Sequence, residues 1–555
     1  MEKTRTTVWK PALALSIFGG VLFAFASPLQ AIEQTEIVAT QQALAEQLTA
    51  ELLGQQVSGA QALTAGVERP PAVIAQERKA ALLALMEVAP GAVLRLALPP
   101  QVRQVLPAEA QPHLEQDVQL EGSLEVLIEH WPEQPVTRQT LVTTSQRYTL
   151  HFAQTPPGLL SGSRVRVHGL ALDQHIALTS EKPIPGLTTS LEVLEAALPE
   201  SLGAQRVIVL LVNFLDKLDQ PYSLAAAYDL VFNHTNTYYR EVSYGQTWLT
   251  GRVAGWYTLP ITVGQACPRA LIFSEALAAA DPDVFFPDYD RILLIFPSIG
   301  CQDGVVDTLG THDIPTPDGV IRASKAWVQV PTVRAVAHEL GHNLGIGHAN
   351  ALECGAETLA ATRCTTAFYG DRFDVMGTSA QGHFNAVHKD RLAWLTPANV
   401  VTVGRSGRYT LSPLELPSIG PQTLRLIKAV DGAGRRTWYS LEYRQRIGLD
   451  AALPQSAVLN GALVRLASDG NADTAFLDMT PSSLSYPEGF DVLDGALAVG
   501  KTFTDPSGIR ITTRSSNPTA LTVEVTVPKD TAPPQVEIAS PLNGNLLRGT
   551  FFVTA

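Results

Sequence analysis

Three histidines and one glutamate lie close together in the stretch AVAHELGHNLGIGHAN, which spans residues 335–350. His338, His342 and His348 offer imidazole nitrogens, which are common ligands of Zn²⁺ in proteins. Glu339 offers a carboxylate that can accept and return a proton. Because a catalytic zinc site usually combines three protein ligands with one open position, these residues predict a hydrolytic zinc site.

The spacing of the first two histidines predicts that a helix carries them. Thr332 is a candidate N-cap at the start of this helix. His338 and His342 are four residues apart, so their imidazoles project from one face on adjacent turns. Glu339 is offset by one residue, which keeps its carboxylate out of the ligand set yet close to the ion.

The third histidine requires a change of chain direction. Gly345 can adopt a positive φ and end the helix, so that His348 approaches from a second side. An alternative is a helix whose two histidines only donate hydrogen bonds to carbonyl groups. The glycine and the third histidine at these spacings favour the metal site over that alternative.

The complete pattern, HExxHxxGxxH, is followed by Met376 in the segment FDVMG. This combination is similar to the signature of the metzincin zinc metallopeptidases. With YGDRFDVMG, GHFNAVHKDRLAWL and YSLEYRQRIGLDA, the stretch HELGHNLGIGHAN resembles the gametolysin family of secreted metallopeptidases. The resemblance is specific from about residue 205 to 397, moderate to about 527 and weak before residue 200.

The resemblance implies a role for each residue of the motif. His338, His342 and His348 would hold one catalytic Zn²⁺, and Glu339 would act as general base and then general acid in peptide-bond hydrolysis. Met376 would form an apolar floor beneath the histidines. The resemblance thus implies a secreted zinc endopeptidase that cleaves extracellular or cell-envelope proteins.

The elements that must position the motif belong to a predicted multidomain α/β (α+β) chain. We expect a metzincin-like peptidase domain over 201–397, because buried strands such as RVIVLLVNF and DRILLIF alternate with helical stretches. From 398 to 528, β-runs separated by turns predict an antiparallel domain of the sandwich type. The tail 529–555 is similar to the start of an incomplete immunoglobulin-like module.

The first 200 residues predict an export signal and a pro-region. Basic residues precede an apolar run in 1–31, which is typical of a signal peptide. Residues 32–200 form a pro-region or accessory domain, helical to about Val88 and then a small antiparallel sheet or barrel. We therefore expect a secreted or cell-envelope monomer without stable membrane insertion after signal cleavage.

The four cysteines are expected to form two disulfides in an oxidising compartment. Of three possible pairings we favour Cys267 with Cys301 and Cys354 with Cys364, since each pair brackets one local excursion of the chain. Residues 32–200 contain no cysteine that could cover the zinc in a latent form, so an inhibitory pro-region would need another donor on the metal or would block the cleft sterically. The histidines of its β-part could supply that donor or could be ordinary sheet residues, and the sequence does not choose among them: His130, His151, His168 and His175.

The remaining signals exclude some partners and leave others open. A net charge of −13 argues against a nucleic-acid partner, so a protein or peptide substrate is expected. Calcium is possible at the acidic clusters 281–290 and 469–473, but neither has an EF-hand glycine in register. Two other functions remain as alternatives: an exported adhesion or envelope-binding protein that uses the peptidase domain as a scaffold, and a zinc hydrolase acting on other amides.

Overall fold

The chain is a mixed α/β protein with several sheets and few helices. A computed structural model describes residues 28–57, 69–131, 134–179, 190–263, 268–299, 306–360, 364–378, 382–432, 434–453, 457–481, 483 and 491–528. Most of the predicted signal peptide, the predicted Cys267–Cys301 disulfide and the predicted immunoglobulin-like module lie outside the described residues.

The first described region begins with helices and continues with strands, as its sequence predicts. Proline occupies the first turn of the second, third and fourth helices, where its missing N–H costs no hydrogen bond. The helices are α1 (Pro28–Val57), α2 (Pro71–Val88), α3 (Pro90–Leu96) and α4 (Pro100–Val105). The strands are β1 (Gln116–Glu129), β2 (Val136–Val142), β3 (Arg147–Phe152), β4 (Arg164–Leu172), β5 (His175–Leu178) and β6 (Ser190–Glu195).

Five of these strands close into a barrel, which we call the N-terminal barrel. They follow the order β1-β2-β3-β5-β4, and pairing of β4 with β1 completes the ring. All of these neighbours are antiparallel except β3 and β5. The interior is apolar and includes Leu124, Val126, Leu141, Val167 and Ile176.

The next region supplies the helix of the histidine motif. Its helices are α5 (Leu224–Tyr228), α6 (Asn236–Val242), α7 (Arg269–Ala280), α8 (Val333–Leu344) and α9 (Ala386–Arg391), with a π-helical turn at Asp229–Thr235 between the first two. Its strands are β7 (Gly203–Phe214), β8 (Thr247–Leu259), β9 (Arg291–Ile295), β10 (Val306–Thr308), β11 (His312–Thr316), β12 (Gly319–Val328), β13 (Ala349–Glu353) and β14 (Thr365–Ala367).

Five of these strands form a sheet in the order β11-β12-β9-β7-β8, which is parallel except at β11. Alternate residues of β7 face opposite sides. Val207 and Val209 pack with α8, whereas Ile208 and Leu210 pack with α7. The sheet is therefore buried on both faces, as the apolar runs of its strands predict.

Two sheets built mainly from the last described region contribute side chains to one apolar core. One has the order β14-β13-β20-β19-β18-β17-β15, with β21 beside β19, and the other has the order β16-β24-β23-β22. The strands are β15 (Val400–Thr402), β16 (Gly407–Leu411), β17 (Thr423–Val430), β18 (Arg436–Glu442), β19 (Gly461–Ser468), β20 (Thr474–Leu477), β21 (Leu497–Ala498), β22 (Thr502–Thr504), β23 (Arg510–Asn517) and β24 (Ala520–Thr526).

Besides the five-stranded sheet, two other sheets include strands from the segment 201–397, which the sequence predicts to be one domain. β10 pairs antiparallel with β1 at the edge of the N-terminal barrel, and β13 pairs parallel with β20. Helical periodicity and turn signals describe local segments, so they do not reveal such long-range pairings. Both pairings lie directly beside the histidine motif.

The disulfide between Cys354 and Cys364 is present, which confirms that predicted pairing. It closes the short excursion between β13 and β14. Among the described residues, no helix combines the length and apolar character needed to cross a bilayer.

Candidate metal centre

Helix α8 carries the first part of the motif as the spacing predicts. The Thr332 hydroxyl accepts a hydrogen bond from the Ala335 amide at 3.1 Å and so caps the helix. The helix ends at Gly345, which has a φ of 108°. A residue with a side chain rarely adopts this conformation, so glycine permits the turn that follows.

The structure brings His338, His342 and His348 together in the interior of the protein. Their ring centroids lie 4.9 Å (His338–His342), 4.7 Å (His342–His348) and 5.4 Å (His338–His348) apart. All three side chains are buried. The chain turn at Gly345 therefore returns the third imidazole to the first two, as predicted.

Hydrogen bonds fix which ring nitrogen of two histidines is available to an ion. Nδ1–H of His338 donates to the Val375 carbonyl at 2.9 Å, and Nδ1–H of His342 donates to the Ile346 carbonyl at 2.8 Å. Since a carbonyl only accepts, each Nε2 keeps its lone pair. The Nε2 atoms of His342 and His348 are buried and have no hydrogen-bond partner. This donor set fits a cation that prefers imidazole nitrogen, such as Zn²⁺.

Burial also keeps these imidazoles neutral. It lowers the pKa of His338 to about 4 and places the pKa values of His342 and His348 well below the ordinary histidine value. Neighbouring histidines add to the effect. A neutral imidazole is the form that binds a metal ion.

Met376 lies against this helix, where the resemblance implies an apolar floor beneath the histidines. The side chain is fully buried, and a methyl group added to Gly341 would come within 2.6 Å of its sulfur. The neighbouring Val375 carbonyl is the acceptor for His338. The methionine segment therefore both supports the helix and orients one imidazole.

Asp473 holds the backbone of the third histidine. Its Oδ1 accepts from the His348 amide at 2.7 Å, and its Oδ2 accepts from the Asn350 side chain at 3.2 Å. This aspartate belongs to one of the acidic clusters considered for calcium. Its neighbour Asp469 forms an ion pair with Arg436. These carboxylates thus bond to groups of the protein itself.

The structure adds a fourth histidine, His130, which directly follows β1. The ligand nitrogens of His130, His338, His342 and His348 all lie within 4.8 Å of one another. Nδ1 of His130 is 3.1 Å from the Tyr369 hydroxyl, and its Nε2 is 3.1 Å from Oε2 of Glu339. Of the four histidines in residues 32–200 that the sequence left open, His130 is the one that groups with the motif histidines.

Asp307 of β10 completes the polar surroundings of Glu339. Its Oδ2 lies 3.5 Å from Nε2 of His130, and its Oδ1 accepts from the Trp327 amide at 3.1 Å. Burial and the nearby Glu339 charge raise the pKa of Asp307 well above the ordinary value. Burial opposes ionisation of Glu339 as well, but the charge and the hydrogen bond of His130 outweigh it and hold the Glu339 pKa well below its usual range.

His383 and His388 are not among the side chains that converge on the candidate centre. Nδ1 of His388 is 3.0 Å from Asp374, and Nε2 of His383 is 3.3 Å from Glu241.

No protein-family model matches the sequence, and no curated protein matches it.

Proposed function

We propose that this protein is a zinc-dependent endopeptidase with His338, His342 and His348 as ligands and Glu339 as the catalytic base. The observation that carries the proposal is the convergence of three buried imidazoles beside a buried carboxylate. Buried polar atoms normally have partners, so nitrogens left without one favour an ion as the partner. The similarity of the motif to that of metzincin peptidases supports the same conclusion.

The chain's own groups have separate tasks in this reaction. Bound Zn²⁺ would polarise the substrate carbonyl and make a water molecule acidic enough to attack near neutral pH. Glu339 would accept a proton from the attacking water and deliver it to the leaving amine. The Val375 and Ile346 carbonyls would hold two imidazoles in the tautomer that binds metal.

We also propose that the protein acts outside the cytoplasm. The signal-peptide pattern at the N-terminus supports export. The disulfide between Cys354 and Cys364 fits an oxidising compartment. Proteins or peptides of the extracellular space or the cell envelope are then the substrates expected for this site.

The proposal is tested with the full-length protein and with a His130→Ala variant that leaves the three motif histidines intact. Metal analysis measures bound zinc, and cleavage of casein or gelatin is followed with and without a chelator. We expect one zinc per chain and hydrolysis that the chelator abolishes. If both proteins hold stoichiometric zinc and neither one hydrolyses the substrate, the peptidase proposal is overturned.

A further inference from the structure

We propose that His130 is a fourth nitrogen ligand of this metal centre and that the N-terminal barrel thereby keeps the enzyme latent. Latency rests on the proposed function, since only an enzyme can be latent. Coordination by His130 depends only on the residues around the centre. No signal in the sequence of the first 200 residues selects this histidine.

The position of His130 matches that of a ligand. Its ring centroid lies 5.3, 5.1 and 5.1 Å from those of His338, His342 and His348. These separations are close to the distances among the three motif histidines themselves. The four rings therefore surround a common point from four sides.

The hydrogen bonds of His130 also follow the arrangement of the motif histidines. Its Nδ1 is 3.1 Å from the Tyr369 hydroxyl, just as Nδ1 of His338 and of His342 each binds an oxygen. Its Nε2 is buried and has no well-aligned hydrogen-bond partner. An oxygen bonded to one ring nitrogen, with no hydrogen-bond partner on the other, is the usual arrangement of a metal-binding histidine.

A fourth protein ligand would change what the centre can do. Structural zinc sites have four protein ligands, whereas catalytic sites keep one position open. His130 would fill that position. Because its Nε2 also lies 3.1 Å from Oε2 of Glu339, the same ring faces the base that must receive a proton. Both requirements for hydrolysis would be blocked by one side chain.

The strand that carries His130 is fixed to the region of α8 by backbone and ionic contacts. β10 pairs with β1 through Leu127, Ile128 and Glu129, and the carbonyl of Thr308 in β10 accepts from the Asn343 side chain of α8 at 3.0 Å. β10 thus contacts both β1 and α8, and it holds His130 at the end of β1 close to the motif histidines. Activation would require β1 to leave this position or the ring to swing away from the centre.

Ion pairs and a hydrogen bond from the same strand strengthen this attachment. Glu125 lies 2.7 Å from Nζ of Lys325 and 3.1 Å from Nε2 of His312. Glu129 lies 3.0 Å from Arg269. Both carboxylates are buried, and each also pairs with an arginine of the barrel, Glu125 with Arg147 and Glu129 with Arg138. Release of β1 from the region of α8 would therefore remove one of two cationic partners from each carboxylate.

A rival explanation makes His130 only a charged partner of Glu339 and Asp307. In the metal-free protein, burial lowers the pKa of His130, but the Glu339 and Asp307 carboxylates outweigh it and raise that pKa to about 10. Such a cation would cover the base without binding an ion. The two explanations differ in the number of imidazoles around the metal.

The test counts those imidazoles in the full-length protein loaded with Co²⁺ or Zn²⁺. X-ray absorption on the wild type should show four imidazole ligands, and His130→Ala should show three with a solvent oxygen and an altered visible Co²⁺ spectrum. Chelator competition should show metal affinity reduced roughly 10-fold or more in the variant. Three imidazoles in the wild type, or identical spectra in both proteins, would overturn the inference.

Two further variants make the comparison specific. His168→Ala removes a histidine of the same barrel that lies outside every candidate metal group, and it should leave spectrum and affinity unchanged. Glu87, His151 and His175 form a separate group able to hold an ion. Each protein is therefore also prepared with the additional substitution His151→Ala. Any metal content or spectral signal that this substitution removes comes from an ion bound at the second group.

Activity separates this inference from the proposed function. If both hold, His130→Ala cleaves casein at least 10-fold faster than the wild type. A change of coordination without any cleavage would reject the peptidase proposal and its latency while keeping His130 as a ligand. Cleavage that is equal in the two proteins would reject latency. The wild-type ligand count needs no variant, so misfolding of His130→Ala would not remove the test.

Discussion

The Nε2 atom of His130 lies 3.1 Å from the Oε2 atom of Glu339, although one residue follows a barrel strand and the other lies on α8. The pairing of β1 with β10 makes this contact possible. Asp307 of β10 is the third member of the same polar group. The N-terminal barrel and the histidine motif therefore meet at the group that would carry out proton transfer.

Glu339→Gln should abolish hydrolysis without loss of zinc. The amide keeps the size of the side chain but cannot accept the proton, so we expect activity to fall roughly 100- to 10,000-fold. The change is made in the His130→Ala background, where the centre is open, and is checked by peptide cleavage and metal analysis. A fully active variant would show that another group is the base, and an intact biological effect without cleavage would favour the adhesion alternative.

The helix and turn of the motif could be predicted because their signals are local. Thr332 caps α8, His338 and His342 share a face, and Gly345 takes the positive φ that ends the helix. Each signal acts within a few residues of its effect. The strand and helix assignments around the motif are confirmed for the same reason, since apolar runs and periodicity are also local.

The rest of the site depends on contacts between distant segments. Tyr369 is 239 positions from His130, and Asp473 is 125 positions from His348. No spacing rule links such residues. The lack of cysteine in 32–200 shows only that latency would need another donor on the metal or a sterically blocked cleft. The pairing of β1 with β10 is what brings His130 to the motif.

Tyr369→Phe should loosen the attachment of His130. Loss of the hydroxyl removes the partner of Nδ1, a contact worth about 0.5–1.5 kcal/mol. We expect the full-length protein to gain roughly 2- to 10-fold in peptide cleavage while its zinc content stays constant. Tyr148→Phe is the matched control, because that hydroxyl donates to Gln146 on the barrel surface. An equal change in both variants would contradict the prediction.

Lys389 should make stability depend on pH. Burial, with Arg444 nearby, lowers the pKa of Lys389 to about 7. Its Nζ lies 3.0 Å from the Tyr244 hydroxyl and 3.2 Å from the Leu414 carbonyl. Above pH 7 the unfolded chain binds the extra proton and the folded chain does not, so the free energy of unfolding should rise with pH up to the ordinary lysine value.

The measurement compares thermal unfolding of the wild type and Lys389→Met from pH 6 to pH 10. The gain above pH 7 is at most about 1.4 kcal/mol per pH unit, and the variant should lack it. Lost hydrogen bonds in the variant would add an offset that does not vary with pH. A difference between the two proteins that stays constant from pH 7 to pH 10 would show that Lys389 remains charged when buried.

Gly345→Ala should weaken metal binding through the turn that positions His348. Gly345 has a φ of 108°, and a Cβ atom there would lie 3.1 Å from Leu160 of the N-terminal region. Gly319→Ala is the matched control, because Gly319 has a φ of 110° but no atom within 4 Å of an added Cβ. Both variants should lose about 1–2 kcal/mol of stability from the strained backbone.

Only Gly345→Ala should also lose metal affinity, because relief of the backbone strain at residue 345 would move His348 away from His338 and His342. Chelator competition with Zn²⁺ measures that affinity, and thermal unfolding measures the shared loss of stability. We expect roughly a 10-fold or greater decrease in affinity for Gly345→Ala and none for Gly319→Ala. Equal affinities would mean that His348 keeps its place without the glycine turn, and the turn would then contribute to folding alone.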